Sequence, residues 1–295
     1  MQTSTELTII IPAFNEVDNL KILLPSLVGH CREKNWRIIL VNDGSYDQTK
    51  EFLGSYQQEP LLTIIHHKLN RGYGAALKSG IQACNTHYGI TMDADGQHSL
   101  ADAEKLLSLM QERDADMVVG SRQSSKTSYY RGVGKFIIRT LARILMTVPI
   151  NDLNSGMKLY RTDLAKKYIY LAPDSMSFSD IISLVFINNR HLVLEIPIIV
   201  EKRQHGKSTI GIDTAFQTIM EIINIMILFN PMKIFLPLSL LCFVISGIWG
   251  VPLLVHGMGL SIGSLLGIVS GALFFLLGLI AEQLSQIRKG QNQSS

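Results

Sequence analysis

The stretch YGITMDADGQH (residues 88–98) places two carboxylates directly after a short apolar segment. A short apolar run that ends in a polar turn is the pattern of a buried β-strand. Asp93 and Asp95, two positions apart, can face one hard cation across such a turn, and Gln97 adds a further oxygen. Pairs with this spacing are frequent by chance, so their position at the end of a strand is what favours a Mg²⁺ or Mn²⁺ site.

Short apolar runs elsewhere in the N-terminal part of the chain repeat this arrangement. The sequence predicts strands over residues 7–11, 37–41, 62–66, 88–92 and 117–120, and helices over residues 17–31 and up to residue 83. Strands that alternate with helices predict an α/β domain with a mostly parallel sheet. In such sheets ligands bind beyond the carboxyl ends of the strands, which is where the polar clusters of this sequence fall.

The C-terminal part is different, because charged residues almost vanish after Lys233. Residues 234–255 and 260–281 have no charged side chain, and about 22 residues suffice for a helix to cross a ~30 Å hydrocarbon core. The short link at 256–259 predicts a helical hairpin. Basic residues stand at its outer ends and not in the link, so the positive-inside rule predicts that both ends are cytosolic. Two buried helices of a soluble core are the alternative.

Between these parts, residues 213–230 place apolar side chains at helical spacing, which predicts an amphipathic helix on the membrane surface. An ordinary helix packed on the domain is the alternative. The sequence therefore predicts an N-terminal domain (1–211), a juxtamembrane helix (212–231), a two-span transmembrane hairpin (232–289) and a disordered tail (290–295).

Composition narrows the class of protein further. The formal net charge of +3, without a stripe of Lys and Arg, argues against binding to nucleic acid. Cys31, Cys84 and Cys242 are too widely spaced for a disulfide framework or a CxxC metal site, which predicts reduced thiols. The first residues are too polar for a secretory signal, so we expect the N-terminal domain to stay in the cytosol.

Several motifs in a fixed order resemble family 2 glycosyltransferases of the GT-A fold. They are IPAFNE (11–16), NDGS (42–45), NRGYGAA (70–76), DADGQH (93–98) and GSR (120–122). Further along, DLNSG (152–156), EIPI (195–198) and RQHGKS (203–208) resemble the branch that uses dolichyl or polyprenyl phosphate. The resemblance covers residues 7–208. It implies a catalytic domain that binds a nucleotide sugar with Mg²⁺ or Mn²⁺, in a multi-pass protein of the cell membrane.

The resemblance also implies a role for each candidate site residue. Donor binding falls to Pro12, Ala13, Asn15, Glu16, Asp43, Asp93, Ala94, Arg203 and Lys207, with Asp43 on the nucleobase. The implied metal ligands are Asp93, Asp95 and Gln97. The implied catalytic residues are Asp95, Arg122 and Asp180, the last as a base or positioning group. Arg131 matches an arginine with which family members hold the lipid phosphate, and Lys135 lies on the same helical pattern with one basic and one apolar face, so both are candidate ligands of that phosphate. A solvated helix face is the alternative.

Most of these residues also have an ordinary structural interpretation. Asp43 fits an Asx turn, and Glu16 and Asp180 fit negative charges at the start of a helix. Gly72 and Gly74 fit a turn without a bound phosphate. The motif context, and not the residue types alone, favours the functional interpretation.

The predicted reaction is inverting transfer of a hexose or N-acetylhexosamine from a UDP- or GDP-linked donor to undecaprenyl or dolichyl phosphate. A phosphate monoester is largely ionised at neutral pH, so this acceptor needs little help from a general base. The expected partners are the nucleotide sugar, the polyprenyl phosphate and the bilayer, and homo-oligomerisation through the hairpin is left open. The alternatives are a catalytically silent membrane-anchored binding protein and a processive polysaccharide synthase, whose Gln-x-x-Arg-Trp motif this sequence lacks.

Overall fold

The structure is a computed structural model. It describes residues 6–122, 149–199, 220, 223, 226–227, 230–257 and 259–293, with side chains up to residue 287. The chain divides into two compact units, Met1–Thr218 and Ile219–Ser295. The predicted juxtamembrane helix at 212–231 lies almost entirely outside the described residues, so it stays a prediction.

A seven-stranded sheet forms the centre of the first unit. Its strands are β1 (Leu7–Ala13), β2 (Arg37–Asn42), β3 (Leu62–His66), β4 (Tyr88–Thr91), β5 (Met117–Arg122), β6 (Lys158–Arg161) and β7 (Val193–Ile198). They follow the order β3-β2-β1-β4-β6-β5-β7, in which β6 runs antiparallel to both neighbours and the other pairs are parallel. The prediction of a mostly parallel sheet is confirmed. The carboxyl ends of the parallel strands therefore share one edge with the start of β6.

Helices cover both faces of this sheet. They are α1 (Val17–Lys34), α2 (Thr49–Gly54), α3 (Tyr73–Ala83), α4 (Leu100–Arg113), α5 (Thr162–Tyr168) and α6 (Phe178–Asn188). Leu24 of α1 and Leu106 of α4 are buried in one core with Leu159 of β6, and each such side chain contributes roughly 1.5–3 kcal/mol by burial. On the other face α3 packs on β1 and β2, and the ring of Phe186 in α6 lies 6.1 Å from that of Tyr160.

The strands β6 and β7 were not predicted from the sequence. Lys158 in β6, and Glu195 and Pro197 in β7, interrupt the apolar runs by which buried strands are recognised. Pairing in the folded chain overrides this weak local pattern. Lys158 lies opposite Thr91 of β4 and Val119 of β5, so β6 completes the sheet between them.

The described part of the second unit contains two long helices, α7 (Met232–Val255) and α8 (Ile262–Gln293). Met232–Val255 and Ile262–Ile287 are each long and apolar enough to cross a membrane, and 17 % of the apolar window in each is buried. The helix α7 agrees closely with its predicted span. The helix α8 continues well beyond residue 281, so residues 290–293 of the predicted tail are helical.

Small residues bring α7 and α8 into close contact. The Ser239 hydroxyl donates a hydrogen bond of 2.8 Å to the carbonyl oxygen of Gly271. A Cβ atom at Gly267 would overlap the hydroxyl of Ser246. The glycines of the sequence GIVSG at 267–271 therefore let α8 approach α7 of the same chain, which is the packing mode of small residues in membrane helices.

Candidate active site

Most of the predicted site residues lie at the edge where the parallel strands end. The strand order places β2 and β4 on opposite sides of β1, which opens a crevice at the carboxyl ends of β1 and β4. Pro12 and Ala13 end β1, and Asp93 follows β4. The parallel pairing of β1 with β4 thus brings two distant stretches of the chain to one crevice.

The loops after β1 and β2 hold each other in place. Asn15, with a φ of 55°, accepts a hydrogen bond of 3.0 Å from the N–H of Tyr46 on its side-chain oxygen. Its own N–H donates to the hydroxyl of Ser45 at 2.9 Å. Asp47 accepts from the N–H of Val17 at the start of α1 at 3.3 Å, where the helix dipole favours a negative charge. The protein itself therefore fixes both loops.

Asp43 is buried at the end of β2 and is bound by the protein on both oxygens. Oδ1 accepts from Nδ1 of His67 at 2.6 Å and from the N–H of Arg71 at 3.0 Å, and Oδ2 accepts from the N–H of Gly72 at 2.8 Å. Nε2 of His67 lies 2.9 Å from the hydroxyl of Ser79. A carboxylate oxygen accepts about two hydrogen bonds, so these contacts within the described chain leave one position on Oδ2.

Two further polar groups near this edge form hydrogen bonds within the protein. The carboxylate of Glu16, the residue before α1, accepts a hydrogen bond of 2.5 Å from the side chain of Asn19. The N–H groups of Gly74 and Ala75, at the start of α3, donate to the carbonyl of Asp174 at 2.9 and 3.3 Å. The protein therefore occupies this helix N-terminus itself. Gly72, with a φ of 101°, is a turn glycine before α3, whereas Gly74 lies in the first turn of the helix.

Asp93 lies at the centre of the site, with 35 % of its side chain exposed. Oδ1 accepts from the hydroxyl of Tyr73 at 2.8 Å, and Oδ2 lies 3.7 Å from Nε2 of His98. Burial alone would raise the pKa of Asp93, but the hydrogen bonds and charge of His98, the Tyr73 hydroxyl and Arg122 outweigh it and lower the pKa. Burial and the Asp93 charge raise the pKa of Tyr73 well above its ordinary value. Asp93 is therefore a carboxylate at neutral pH, and Tyr73 keeps its proton.

Asp95 and Gln97 follow in the same turn. Oδ1 of Asp95 accepts a hydrogen bond of 3.2 Å from the N–H of Gln97, Gly96 has a φ of 71°, and Ala94 is buried. Within the described chain, no group of three or more His, Cys, Asp or Glu side chains is assembled for a metal ion. Mg²⁺ is commonly held by one or two carboxylates together with water and substrate phosphates. The donor set therefore fits an ion shared with a substrate and not a closed protein site.

Arg122, at the end of β5, forms a two-pronged ion pair with Asp152. Nε and Nη2 of Arg122 donate to the two oxygens of Asp152 at 2.7 and 2.9 Å, and Nη2 also donates to the carbonyl of Asn154 at 2.9 Å. The N–H of Asp152 in turn donates to Glu195 of β7 at 2.8 Å. Asp152 and Asn154, in the loop before β6, thus fix the orientation of the guanidinium.

Asp180 lies in the first turn of α6 and is 7 % exposed. The hydrogen bond that Arg122 donates to Asp152 raises the pKa of Arg122 against the effect of burial, and the charges of Asp152, Asp93 and Asp180 add to this increase. The structure therefore brings three of the predicted site residues, Asp93, Arg122 and Asp180, into one charged cluster. Asp152 completes this cluster.

Four predicted site residues, Arg131, Lys135, Arg203 and Lys207, lie outside the described residues. Their assignment to the lipid phosphate and to the donor stays a prediction. Conversely, the sequence patterns assigned no role to Tyr73, Asp152 or Lys158. Tyr73 and Asp152 belong to two of the ordered motifs, which is a signal that they lie at the site. Lys158 is a charge between the apolar Met157 and Leu159, which is a signal that a strand carries it into the interior.

Comparison with known sequences gives two family matches. Residues 8–169 match Glycosyl transferase family 2, and residues 230–287 match the GtrB C-terminal hairpin. Polyprenol monophosphomannose synthase of Mycolicibacterium smegmatis is 30 % identical over 216 residues, which are 68 % of this chain and 79 % of the relative. Dolichyl-phosphate beta-glucosyltransferase of Saccharomyces cerevisiae is 28 % identical over 70 % of each chain.

A third relative is longer than the part it shares with this chain. Undecaprenyl-phosphate 4-deoxy-4-formamido-L-arabinose transferase of Edwardsiella ictaluri is 28 % identical over 223 residues, which are 74 % of this chain. The match spans 65 % of the relative, slightly less than two thirds of its length.

Comparison with solved structures supports the fold. Glucosyl-3-phosphoglycerate synthase from Mycobacterium tuberculosis, in complex with Mn²⁺, UDP-glucose and phosphoglyceric acid, superimposes with a TM-score of 0.58. The similarity covers 76 % of this chain and 80 % of that one at 14 % identity, which confirms the predicted GT-A fold. Because the family 2 match at 8–169 covers more than half of the 295 residues, this chain belongs to glycosyl transferase family 2.

Proposed function

We propose that this family 2 glycosyltransferase moves a sugar from a nucleotide diphosphate sugar to polyprenyl phosphate at the cytosolic face of a membrane. The observation that carries the proposal is the charged cluster in which Asp93 lies with the Arg122–Asp152 pair and Asp180. An anionic leaving group and an anionic acceptor both require positive charge in the transition state, which Arg122 and a divalent cation held by the carboxylates would supply. The relatives named for dolichyl, undecaprenyl and polyprenol phosphates support the lipid acceptor.

The donor lies, in this proposal, across the crevice beside β1. Pro12, Ala13, Asn15, Glu16 and Ala94 line the nucleotide, and Asp43 offers its remaining acceptor position to the base. Asp93, Asp95 and Gln97 would hold Mg²⁺ or Mn²⁺, which stabilises the charge that grows on the leaving nucleoside diphosphate. The Mn²⁺ in the structural neighbour supports this assignment. Arg203 and Lys207 are proposed to add positive charge to the donor, and Arg131 and Lys135 to hold the lipid phosphate.

The reaction itself is a single displacement. An oxygen of the acceptor phosphate attacks the anomeric carbon as the bond to the nucleoside diphosphate breaks, which inverts that carbon. The acceptor is already ionised at neutral pH, so the part of Asp180 is to position the acceptor more than to remove a proton. Arg122, which Asp152 holds in one orientation, faces the phosphate charges in the low-dielectric site, where a preorganised charge is most effective.

The second unit supports a place in the membrane. The apolar helices α7 and α8 expose most of their large side chains, including Ile248, Trp249 and Leu266. Exposed apolar surface on this scale fits a lipid environment. With basic residues at the outer ends of the hairpin, the positive-inside rule favours a cytosolic N-terminal domain.

A transfer assay tests this function directly. The full-length chain in detergent micelles is given radiolabelled UDP-glucose, UDP-N-acetylglucosamine or GDP-mannose with undecaprenyl phosphate and Mn²⁺ or Mg²⁺. We expect at least one donor to yield label that an organic solvent extracts, and undecaprenol without its phosphate to yield none. Extractable label with the free alcohol, or none with any of the donors while they bind, would overturn the lipid-phosphate acceptor.

A substitution at Gly156 is predicted to disturb the proposed metal site by direct contact with Asp93. A Cβ atom at this position would lie 2.7 Å from Cγ of Asp93, so Gly156→Ala must displace that carboxylate. Because a displacement of about 1 Å at a reacting centre can cost ~10²-fold, we expect kcat/KM to fall at least about tenfold. The apparent affinity for Mn²⁺, measured by activity against ion concentration, should weaken in parallel.

The matched control is Gly29→Ala, at a helical glycine where an added Cβ meets no atom within 4 Å. We expect this variant to keep its activity and to gain roughly 0.5–1 kcal/mol of stability, because alanine favours a helix. If Gly156→Ala binds Mn²⁺ and turns over like the unchanged protein, Asp93 is not a ligand that the ion depends on.

A further inference from the structure

Lys158, the first residue of β6, has no exposed surface. Its Nζ donates to the carbonyl oxygen of Leu153 at 2.5 Å and to the carbonyl oxygen of Ser179. Lysine is almost never fully buried unless its charge is paired. A buried ammonium at the edge where the substrates meet therefore needs a reason beyond the packing of the sheet.

The two carbonyl groups belong to the two segments that carry the charged cluster. Leu153 follows Asp152, the partner of Arg122, and Ser179 precedes Asp180 in the first turn of α6. These segments are far apart in the sequence. Through these two hydrogen bonds, Lys158 links the loop at 149–157 to the start of α6.

Charged groups on several elements surround Nζ. Burial, together with the positive charge of Arg122 on β5, lowers the pKa of Lys158 to about 7. The carboxylates of Asp180 on α6, Asp152 on the loop and Asp93 after β4 act in the opposite direction. A buried ion of this kind often adds nothing to stability compared with an apolar side chain of similar volume. The tie between the two segments is therefore the more direct reason for a lysine at this position.

We propose that Lys158 is a positioning residue of the transferase: its ammonium, bonded to the carbonyls next to Asp152 and Asp180, sets the separation of Arg122 and Asp180 across the acceptor phosphate. This inference rests on the proposed function for its kinetic readout. Lys158 touches neither substrate and acts through Asp152 and Asp180.

The test compares Lys158→Met, which removes the donors at similar volume, with Tyr160→Phe. Tyr160 is a matched control because it is fully buried on the same strand and faces the same side of the sheet. We expect Lys158→Met to lower kcat at least about tenfold with the donor KM within about twofold, because misplaced groups cost rate more than ground-state binding. Tyr160→Phe should keep kcat within about twofold, since a conservative change in the same layer leaves both tied segments intact.

Two further measurements separate positioning from folding. Hydrogen exchange of the backbone, which needs no substrate, should speed up in Lys158→Met at residues 151–156 and 178–182 and stay unchanged in β1 and β2. In the double variant with Asp180→Asn, the loss of kcat should be smaller than the product of the two single losses, because both act through one arrangement. If Lys158→Met does not fold, Lys158→Gln replaces it under the same criteria, because its side chain is one bond shorter than lysine and cannot bond both carbonyls from the position of Nζ.

The outcomes are distinct. A folded Lys158 variant with unchanged kcat, or with unchanged exchange at both segments, overturns the inference. Losses of kcat that multiply in the double variant overturn it as well. If the unchanged protein labels no lipid, the proposed function fails, and the exchange measurement still decides whether Lys158 ties the two segments.

Discussion

Asp95→Asn is expected to abolish measurable transfer of sugar to polyprenyl phosphate while the protein stays folded. The amide keeps an oxygen that can accept the hydrogen bond from the N–H of Gln97, so the turn is preserved. It lacks the negative charge that a hard divalent ion requires. A Lewis-acid metal contributes several kcal/mol to such a transition state, so we expect kcat to fall at least about 10³-fold.

The measurement is organic-extractable label at several Mn²⁺ concentrations, together with thermal unfolding by circular dichroism. Asp18→Asn is the matched control, because this carboxylate is 71 % exposed on α1 and forms only a long contact of 3.9 Å with Lys21. We expect that variant to be fully active. Turnover by Asp95→Asn at the rate of the control, in the presence or absence of Mn²⁺, would remove Asp95 from the metal site.

Arg122→Met is the second substitution with a large expected effect. It removes a charge fixed in the site and takes from the carboxylate of Asp152, which is 17 % exposed, the two hydrogen bonds of the guanidinium. Loss of one preorganised group of this kind costs about 10²–10³-fold in kcat. Arg122→Lys should recover only part of that loss, because an ammonium cannot make two parallel bonds to one carboxylate. The control is Arg32→Met, which breaks the exposed 2.8 Å pair with Glu59 and should leave kcat unchanged.

The effect of Arg122→Met on stability is predicted to depend on pH. Burial would raise the pKa of Asp152, but the hydrogen bonds and charge of Arg122 outweigh it, so the folded pKa lies below the unfolded value. A lowered folded pKa stabilises the protein above the unfolded pKa of about 3.9, and this stabilisation is lost as the pH falls through the folded pKa. The difference in Tm between the unchanged protein and Arg122→Met should therefore be largest near neutral pH and shrink below about pH 4. A difference that is the same at pH 7 and pH 3.5 would show that the pair does not titrate in this way.

The part of the fold that sequence patterns predicted well is the half with regular alternation. The strands β1 to β5 are short apolar runs that end in polar turns, and their positions agree with prediction within a few residues. The strands β6 and β7 were not predicted because Lys158 and Glu195 interrupt the apolar runs. Contacts with distant segments satisfy these charges in the folded chain. Local periodicity cannot report such contacts.

The candidate site, like the fold, could be predicted from the sequence only in part. The place of Asp93, Asp95 and Gln97 in one turn after β4 was predictable, because they are close together in the sequence. The partners that set their chemistry were not, since Tyr73 reaches Asp93 from α3 and Asp152 reaches Arg122 from the loop before β6. Motifs identify which short stretches meet at a site, and only the folded chain shows which atoms in them meet.

The position of the antiparallel strand β6 determines the order in which the strands of the sheet can pair during synthesis. β4 and β5 are not neighbours, so β4 keeps one unpaired side and β5 keeps both until residues 158–161 leave the ribosome and pair between them. The strands β3, β2, β1 and β4 can pair first, whereas β5 and β7 join the sheet only after β6 has paired with β4. A nascent chain that stalls before residue 158 therefore exposes unpaired strand edges on both β4 and β5, the kind of surface on which chains adhere to one another.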